Sequence, residues 1–145
     1  MSDSASFVDT NVLLYAHDTT AGRKHEQARS LLEDLWESAE GRISVQVLQE
    51  FFVNVTRKIP KPLDTGTAAT LVAHYSRWEV HTPGPQDVQE AIAIHRRDGV
   101  GFWDAMIIRS AAQLRCRMLY SEDLNSGQRY AGVEVRNPFL TSISS

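Results

Sequence analysis

Cysteine is almost absent from this chain, which has a single thiol, Cys116, among its 145 residues. One thiol cannot form an internal disulfide and cannot supply a cysteine-based metal cluster. Its setting, Leu-Arg-Cys-Arg-Met, is typical of a small residue between a helix and a strand rather than of a nucleophile. The five histidines are scattered, and no pair has the spacing of zinc ligands. We expect structural or surface roles for His17, His25, His74, His81 and His95.

Long apolar runs are absent as well. No stretch approaches the roughly 20 apolar residues of a membrane span, and the opening Met-Ser-Asp-Ser-Ala lacks the basic and apolar segments of a signal peptide. We therefore expect a cytoplasmic protein that does not bind a membrane. The length suits one folded domain, and no repeat or linker is visible. We predict a single domain over 1–145, with a polar tail from about residue 140.

Positive charge is in short supply, since 15 lysines and arginines stand against 18 acidic residues and leave a net charge of −3. This balance disfavours a protein that binds nucleic acid through general electrostatic attraction alone. Basic residues are nevertheless concentrated in two places, which permits a phosphate-bearing partner. These residues are Arg57, Lys58 and Lys61 in one cluster, and Arg96, Arg97, Arg109, Arg115 and Arg117 in the other.

What the sequence does contain is a regular alternation of short apolar runs and helical periodicity. Five runs are typical of strands, at residues 7–8, 42–44, 78–82, 117–121 and 132–135. Between the first four, apolar residues recur three and four positions apart, as in amphipathic helices. Strands that alternate with helices favour right-handed crossovers and a mostly parallel sheet. We predict an α/β fold, a three-layer α/β/α sandwich around a mostly parallel five-stranded sheet.

Four acidic residues lie near the predicted strand ends. Asp9 comes directly after the first strand, and Asp123 comes just after the fourth. Glu50 and Asp104 lie in the first turns of predicted helices, and each interrupts an apolar run where a charge is unusual. The carboxyl ends of parallel strands meet at one edge of a sheet, where ligands bind in α/β folds. We expect the four carboxylates to converge there.

Two polar residues, Thr10 and Asn11, directly follow Asp9. We expect them to cap a helix that begins near Val12, which would leave Asp9 free to face outward. The helix N-termini after Asp9 and before Asp104 would add positive dipole at the same place.

Each acid also has an ordinary structural explanation. Asp9 can be a simple cap, Asp123 a turn residue, Asp104 a first-turn acid that complements the helix dipole, and Glu50 a partner of Arg57. Together they are harder to explain, because two carboxylates about 4 Å apart repel by roughly 4 kcal/mol at an effective dielectric near 20. No lysine lies near them in sequence. Oxygen ligands with excess negative charge suit Mg²⁺, with Mn²⁺ as a substitute.

The four acids stand in the motifs Phe-Val-Asp9-Thr-Asn11, Ser-Val-Gln-Val-Leu-Gln-Glu50-Phe, Phe-Trp-Asp104-Ala and Ser121-Glu-Asp123-Leu-Asn. In these motifs and their order, the sequence resembles the PIN-domain family, and within it the VapC-type toxins of prokaryotic toxin–antitoxin pairs. The resemblance covers nearly the whole chain. It implies a parallel five-stranded sheet between helices and Mg²⁺-dependent endoribonuclease activity.

The resemblance also implies roles for individual residues. Asp9, Asp104 and Asp123 would be the main metal ligands, and Glu50 would complete the site or orient a water molecule. Where many relatives carry a further acid, this chain has Asn125, which weakens the expectation of a tightly held second ion. Hydrogen bonds that hold the carboxylates or water would come from Thr10, Asn11 and Ser121.

By the same resemblance we expect an RNA substrate, a homodimer, and a small cognate antitoxin that inserts into the acidic groove. Attack by water would leave 5′-phosphate and 3′-hydroxyl ends. The arginine clusters would contact the RNA backbone, and exposed aromatic residues would stack on its bases. For the three aromatic candidates, Trp78, Phe102 and Trp103, we favour packing in the core over stacking.

Other functions share parts of this pattern. A phosphoacceptor receiver domain needs paired acids beside the first strand and a lysine after a late strand, but this chain has Thr10 and Asn11 and no such lysine. Asn11 also disfavours phosphotransfer of the Asp-x-Asp type. A non-catalytic α/β binding module is disfavoured by four intact acids. A PIN-like nuclease that acts in RNA processing or on structured DNA remains an alternative.

Overall fold

The computed structural model describes residues 4–140, and at its centre is a sheet of six strands. The strands are β1 (Ser6–Val8), β2 (Gly41–Ser44), β3 (Glu79–His81), β4 (Met118–Tyr120), β5 (Arg129–Tyr130) and β6 (Val133–Arg136). Their order is β3-β2-β1-β4-β6-β5. All neighbours are parallel except β5 and β6, which are antiparallel. The predicted α/β fold with a mostly parallel sheet is confirmed.

The predicted strand number is wrong by one, because β5 was not expected. It is only two residues long and pairs with β6 across a two-residue turn at Ala131 and Gly132. Both turn residues have positive φ, 51° and 84°, as in the tight turns that join paired strands. A strand of two residues is too short for alternation to show, and Ala-Gly lacks the Asn-Gly or Asp-Gly signal of such turns.

Six helices connect the strands: α1 (Thr10–Tyr15), α2 (Arg23–Ser38), α3 (Val45–Arg57), α4 (Thr65–Tyr75), α5 (Pro85–Asp98) and α6 (Phe102–Gln113). The sheet grows in one direction from β1 to β3, and then β4 adds on the other side of β1. Right-handed crossovers in opposite directions place their helices on opposite faces of the sheet. Helices α1 to α4 therefore cover one face and α5 and α6 the other, as in the predicted three layers.

The strand order reverses between β1 and β4, which are hydrogen-bonded neighbours. In open α/β sheets the crevice at such a reversal, outside the carboxyl ends of the strands, is where ligands bind. All three residues of β1 are buried, as expected for a central strand covered on both faces. The core around it contains Phe7, Leu13, Ile43, Phe51, Ile107, Ile108 and Leu119.

Cys116 and two of the histidines are structural residues, as predicted. Cys116 is buried between α6 and β4, and burial raises the pKa of its thiol to about 12, so it is an inert core residue. His17 Nε2 shares a hydrogen bond of 2.7 Å with the Tyr75 hydroxyl, and His81 Nδ1 shares one of 2.8 Å with Ser110 Oγ, so both rings have structural roles.

Within residues 4–140, no helix has both the length and the apolar character needed to cross a bilayer. The predicted polar tail from about residue 140 lies outside the described residues, and the extent of the single domain stays a prediction.

Gly41, the first residue of β2, packs closely against the Trp78 ring, and a substitution there tests this contact. A Cβ at this position would lie 2.6–2.7 Å from three carbons of the Trp78 ring, so the indole would have to move. Overpacking of this kind costs about 1–3 kcal/mol. We expect Gly41→Ala to lower the free energy of unfolding by that amount in urea titrations. The control Gly84→Ala, whose Cβ meets nothing within 4 Å, should lose only about 0.5 kcal/mol as a weaker helix cap. Equal losses in the two variants would contradict the packing interpretation.

Candidate metal centre

Three carboxylates meet at the reversal point of the sheet. Asp9 follows β1 directly, Asp123 lies three residues beyond β4, and Asp104 lies in the first turn of α6. Each offers a carboxylate oxygen, and these three oxygens all lie within 4.8 Å of one another. Glu50, in the second turn of α3, lines the same groove. The structure thus brings together the acids that the sequence placed at one edge of the sheet.

Asp9 occupies its position in a different way from the one predicted. Helix α1 begins at Thr10 rather than near Val12, and Asp9 is itself the N-cap. Its Oδ1 accepts a hydrogen bond from the Thr10 backbone N–H at 2.7 Å, and its Oδ2 accepts one from Ser121 Oγ at 2.7 Å. The ordinary explanation of Asp9 as a helix cap is therefore correct, and capping the helix also aims this buried carboxylate at the groove.

Glu50 is held by two donors on the same side of the groove. Thr10 Oγ1 donates to Oε1 at 2.6 Å, and Gln46 Nε2 donates to Oε2 at 3.2 Å. The predicted alternative, an ion pair with Arg57, does not form among the described contacts. Thr10 therefore serves two carboxylates, since its backbone N–H binds Asp9 and its hydroxyl binds Glu50.

Asp123 is oriented by the two remaining polar residues of the predicted set. Asn11 Nδ2 donates to Asp123 Oδ2 at 2.9 Å, while Asn11 Oδ1 accepts from the Glu122 backbone N–H at 3.2 Å. The Asp123 backbone N–H donates to Ser121 Oγ at 3.1 Å. Asn125 points to another partner, since its Nδ2 donates to Gln128 Oε1 at 3.2 Å. All three predicted supporting residues thus bond to the carboxylates.

Burial, and then the crowding of negative charge, raise the pKa values of the two more buried carboxyls. Burial raises the pKa of Asp9 to about 7; the Ser121 and Thr10 hydrogen bonds oppose the rise, and the charges of Asp123 and Asp104 add to it. The pKa of Asp104 is also raised, first by burial and then by the charges of Asp123 and Glu50. Without a counter-charge, ionising the whole cluster is unfavourable near neutral pH.

The groove around the acids has a volume of about 290 Å³ and no basic side chain among its described lining residues. The nearby Lys24 is paired with Glu122, which also accepts a hydrogen bond from the Tyr15 hydroxyl at 3.0 Å. From its position beside Asp123 we would expect Glu122 to be a solvated surface acid, but it is a half-buried residue with a structural role. The lining residues are Asp9, Thr10, Asn11, Leu14, Gln46, Glu50, Asn54, Trp103, Asp104, Ile107 and Asp123.

Three groove residues were missed or misassigned from sequence. Gln46 and Asn54 lie four residues before and after Glu50 on α3, so the helical repeat could have placed them on the same face. Trp103 was expected in the core, but it is 65% exposed at the rim of the groove. Phe102 and Trp78 are partly buried against the core, as predicted.

The donor set fits a hard divalent cation. The lining offers carboxylate and amide oxygens, and neither a thiol nor an imidazole belongs to it within residues 4–140. Carboxylate oxygens are the ligands that Mg²⁺ and Mn²⁺ prefer. Positive charge at this point would relieve the repulsion that adds to the effect of burial on the pKa values of Asp9 and Asp104. Asp9, Asp104 and Asp123 are therefore the residues placed to hold such an ion.

The sequence profile of the PIN domain matches residues 6–131, a span that includes all four acids. The chain belongs to the PIN domain family. The profile and the fold agree with the resemblance first seen in the four motifs. Among curated protein sequences, none matches the chain.

Several solved structures have a fold similar to that of this chain. A toxin–antitoxin complex from Klebsiella pneumoniae matches with a TM-score of 0.68 and 20% identity over 94% of this chain and 98% of that one. DNA-bound VapBC from Salmonella typhimurium matches with a TM-score of 0.66 and 19% identity over 93% and 98%. VapC20 from Mycobacterium tuberculosis, a toxin that cleaves the sarcin–ricin loop, matches with a TM-score of 0.60 and 20% identity, over 82% of this chain and 90% of that one. At these identities the similarity is one of fold.

The raised pKa of Asp9 predicts how the stability of the metal-free PIN domain depends on pH. The unfolded chain loses this proton near pH 4 and the folded chain near pH 7, so the folded state binds more protons between these values. The contribution of Asp9 to the unfolding free energy is therefore present below pH 4 and is lost as the pH rises to 7. In EDTA, we expect Asp9→Asn to reduce the fall in unfolding free energy between pH 5 and pH 8 by about 2 kcal/mol.

Asp64 supplies the matched control, because it is also an aspartate that caps a helix. It is exposed, and the Thr67 N–H holds the pKa of its carboxyl below the usual range, so it does not titrate between pH 5 and pH 8. Asp64→Asn should keep the wild-type pH dependence in urea titrations. Parallel pH profiles for Asp9→Asn and wild type would contradict the assignment.

Proposed function

We propose that this PIN domain is a Mg²⁺-dependent endoribonuclease that acts as the toxin of a toxin–antitoxin pair. The observation that carries the proposal is the cluster of three carboxylate oxygens within 4.8 Å, in a groove with no basic residue among its described lining. Such a cluster is unfavourable by itself and suits a divalent ion, and hydrolysis of phosphodiesters is chemistry that such ions support. Membership of the PIN family and the toxin–antitoxin folds among similar structures favour the nuclease over a binding module.

Asp9, Asp104 and Asp123 would hold the ion, with Mn²⁺ able to replace Mg²⁺. When bound, the ion supplies Lewis-acid stabilisation of the phosphate and a water acidic enough to attack at neutral pH. Ser121 and Thr10 keep both oxygens of Asp9 in place, and Asn11 holds one oxygen of Asp123. Two of the three ligands are thus oriented before any ion or substrate arrives.

Glu50 has a separate role in this mechanism. Its two oxygens are oriented by Thr10 and Gln46, so its carboxylate presents fixed lone pairs to the groove. From there it positions the attacking water and accepts its proton as the phosphorus–oxygen bond forms. The 3′-oxygen departs in line on the opposite side and takes a proton from solvent water, which leaves 5′-phosphate and 3′-hydroxyl ends.

The partners follow from the same proposal. The toxin–antitoxin complexes with this fold support a small cognate antitoxin, whose insertion into the acidic groove would block the carboxylates. We propose a homodimer as the active form, RNA as the substrate and the cytoplasm as its location. VapC20 is described as cleaving the sarcin–ricin loop, so structured RNA is a sensible first substrate class to test here.

Cleavage by the purified protein tests this proposal. We expect cuts in a pool of tRNA and structured RNA that require Mg²⁺ or Mn²⁺, stop in EDTA and leave 5′-phosphate ends. Asp9→Asn and Asp104→Asn should each reduce the rate by at least about 100-fold, because each removes a charged ligand.

Asp64→Asn is again the control, since this exposed cap lies outside the groove and should cleave like wild type. Cleavage that survives EDTA, or that is equal in the wild type and both ligand variants, would contradict the proposal and point to a contaminating nuclease. Selective cleavage of structured DNA would support the metal centre and show that the substrate is DNA and not RNA.

A further inference from the structure

Trp103 has the largest exposed fraction among the exposed large hydrophobic side chains in the described part of the chain, at 65%. Its ring contacts that of Phe102 edge to face, with centroids 5.0 Å apart. The other two tryptophans, Trp36 and Trp78, pack against the core. Exposing an indole to water is unfavourable, so a ring in this position calls for an explanation beyond packing.

The position of Trp103 is tied to the acidic groove. It directly precedes Asp104, and its backbone carbonyl accepts a hydrogen bond from Gln46 Nε2 at 3.3 Å. The same Gln46 amide donates to Glu50. Because both acceptors face the NH₂ group, the amide orientation is fixed, and Gln46 Oε1 is left as a buried acceptor without a hydrogen-bond partner among residues 4–140. The indole is thus anchored through its backbone at the rim of the groove, next to two of the carboxylates.

The charge of the groove decides what kind of contact can help the substrate bind. The lining has four carboxylates and no described lysine or arginine, so it repels a phosphate backbone. Ionic contacts supply most of the affinity in ordinary nucleic-acid binding, and here they are absent beside the cleavage site. Stacking on an aromatic face is the contact that single-stranded nucleic acid makes without needing a positive charge.

We infer that Trp103 is a stacking platform for an unpaired nucleobase of the RNA, next to the phosphodiester that is cleaved. This inference rests on the proposed function and adds to it, because it requires the substrate to be unpaired at the cut. A base on the platform places the adjoining phosphate over the carboxylates, since Trp103 and Asp104 both line the groove. The alternative is that a protein surface, and not a nucleobase, covers the Trp103 ring, and measurements of RNA binding and of dimerisation distinguish the two.

The first test measures binding without cleavage. Single-stranded RNA of 12 nucleotides is titrated in EDTA while tryptophan fluorescence is recorded. We expect quenching in wild type that is lost in Trp103→Phe, since Trp36 and Trp78 remain against the core. Trp103→Ala should weaken RNA binding about tenfold, and Trp103→Phe, which keeps an aromatic face, by less than about threefold. RNA binding by Trp103→Ala equal to wild type would overturn the inference.

The second test identifies the base that stacks. An RNA that the wild type cleaves is remade with a single abasic ribose at each position around the cut. One abasic position should raise KM about tenfold for wild type but less than twofold for Trp103→Ala, because the stack is already missing there. Equal penalties in both proteins at every position would show that no base contacts Trp103.

The matched control is Ile92→Ala, which truncates a 42% exposed apolar side chain on α5 outside the groove and should bind and cleave RNA normally. If RNA quenches the fluorescence of Trp103 but no RNA is cleaved, the stacking role is supported and the nuclease proposal is contradicted. If RNA is cleaved equally well with and without the Trp103 ring, the nuclease proposal is supported and the stacking role is contradicted. Loss of dimerisation in Trp103→Ala with unchanged RNA affinity would assign the ring to a protein contact.

Discussion

The structure depends on one electrostatic constraint: carboxylates are held together at the carboxyl edge of the sheet, and no basic side chain lines their groove among residues 4–140. Asp9, Asp104 and Asp123 offer oxygens within 4.8 Å of one another, and burial, with a smaller contribution from the neighbouring charges, raises the pKa of Asp9 to about 7. Neutral donors hold the arrangement in place. Thr10, Asn11 and Ser121 each hydrogen-bond a carboxylate, and none of them brings a charge that would compete with a cation. The protein therefore leaves the charge uncompensated and the geometry fixed, which is the condition for binding a divalent ion.

The fold explains why these particular residues meet. The strand order reverses between β1 and β4, so the chain leaves the sheet in opposite directions at adjacent strand ends and opens a crevice there. Asp9 enters the crevice as the cap of α1, and Asp123 enters from the loop after β4. Helices α3 and α6 lie on opposite faces and bring Glu50 and Asp104 to the same point. Ser121 links the segments that follow the two central strands, because its hydroxyl donates a hydrogen bond to Asp9 and accepts one from the Asp123 backbone N–H.

Much of this was predictable from sequence, and the exceptions have physical causes. Long periodic segments and acids placed at strand ends specify the α/β class and the convergent site, because parallel strands share a carboxyl edge. The two-residue strand β5 was missed since its register comes from the Ala131-Gly132 turn and not from a hydrophobic pattern. Trp103 was assigned to the core because an aromatic residue in an apolar run usually packs inside. Its exposure depends on where α6 begins relative to the groove, which is tertiary information. The same holds for Glu122, whose partners Tyr15 and Lys24 are about 100 positions away in sequence.

Direct measurement of Mn²⁺ binding by electron paramagnetic resonance tests the central claim, that the carboxylate cluster is a divalent-metal centre. The protein is freed of metal in EDTA, exchanged into buffer at pH 8, and titrated with Mn²⁺ while the signal of the free ion is followed. The account predicts saturable binding in wild type, competition by Mg²⁺, and loss of that binding in Asp104→Asn. It also predicts weaker binding at pH 5, where protons occupy Asp9. Binding that is unchanged by Asp104→Asn, or no binding at pH 8, would contradict the account.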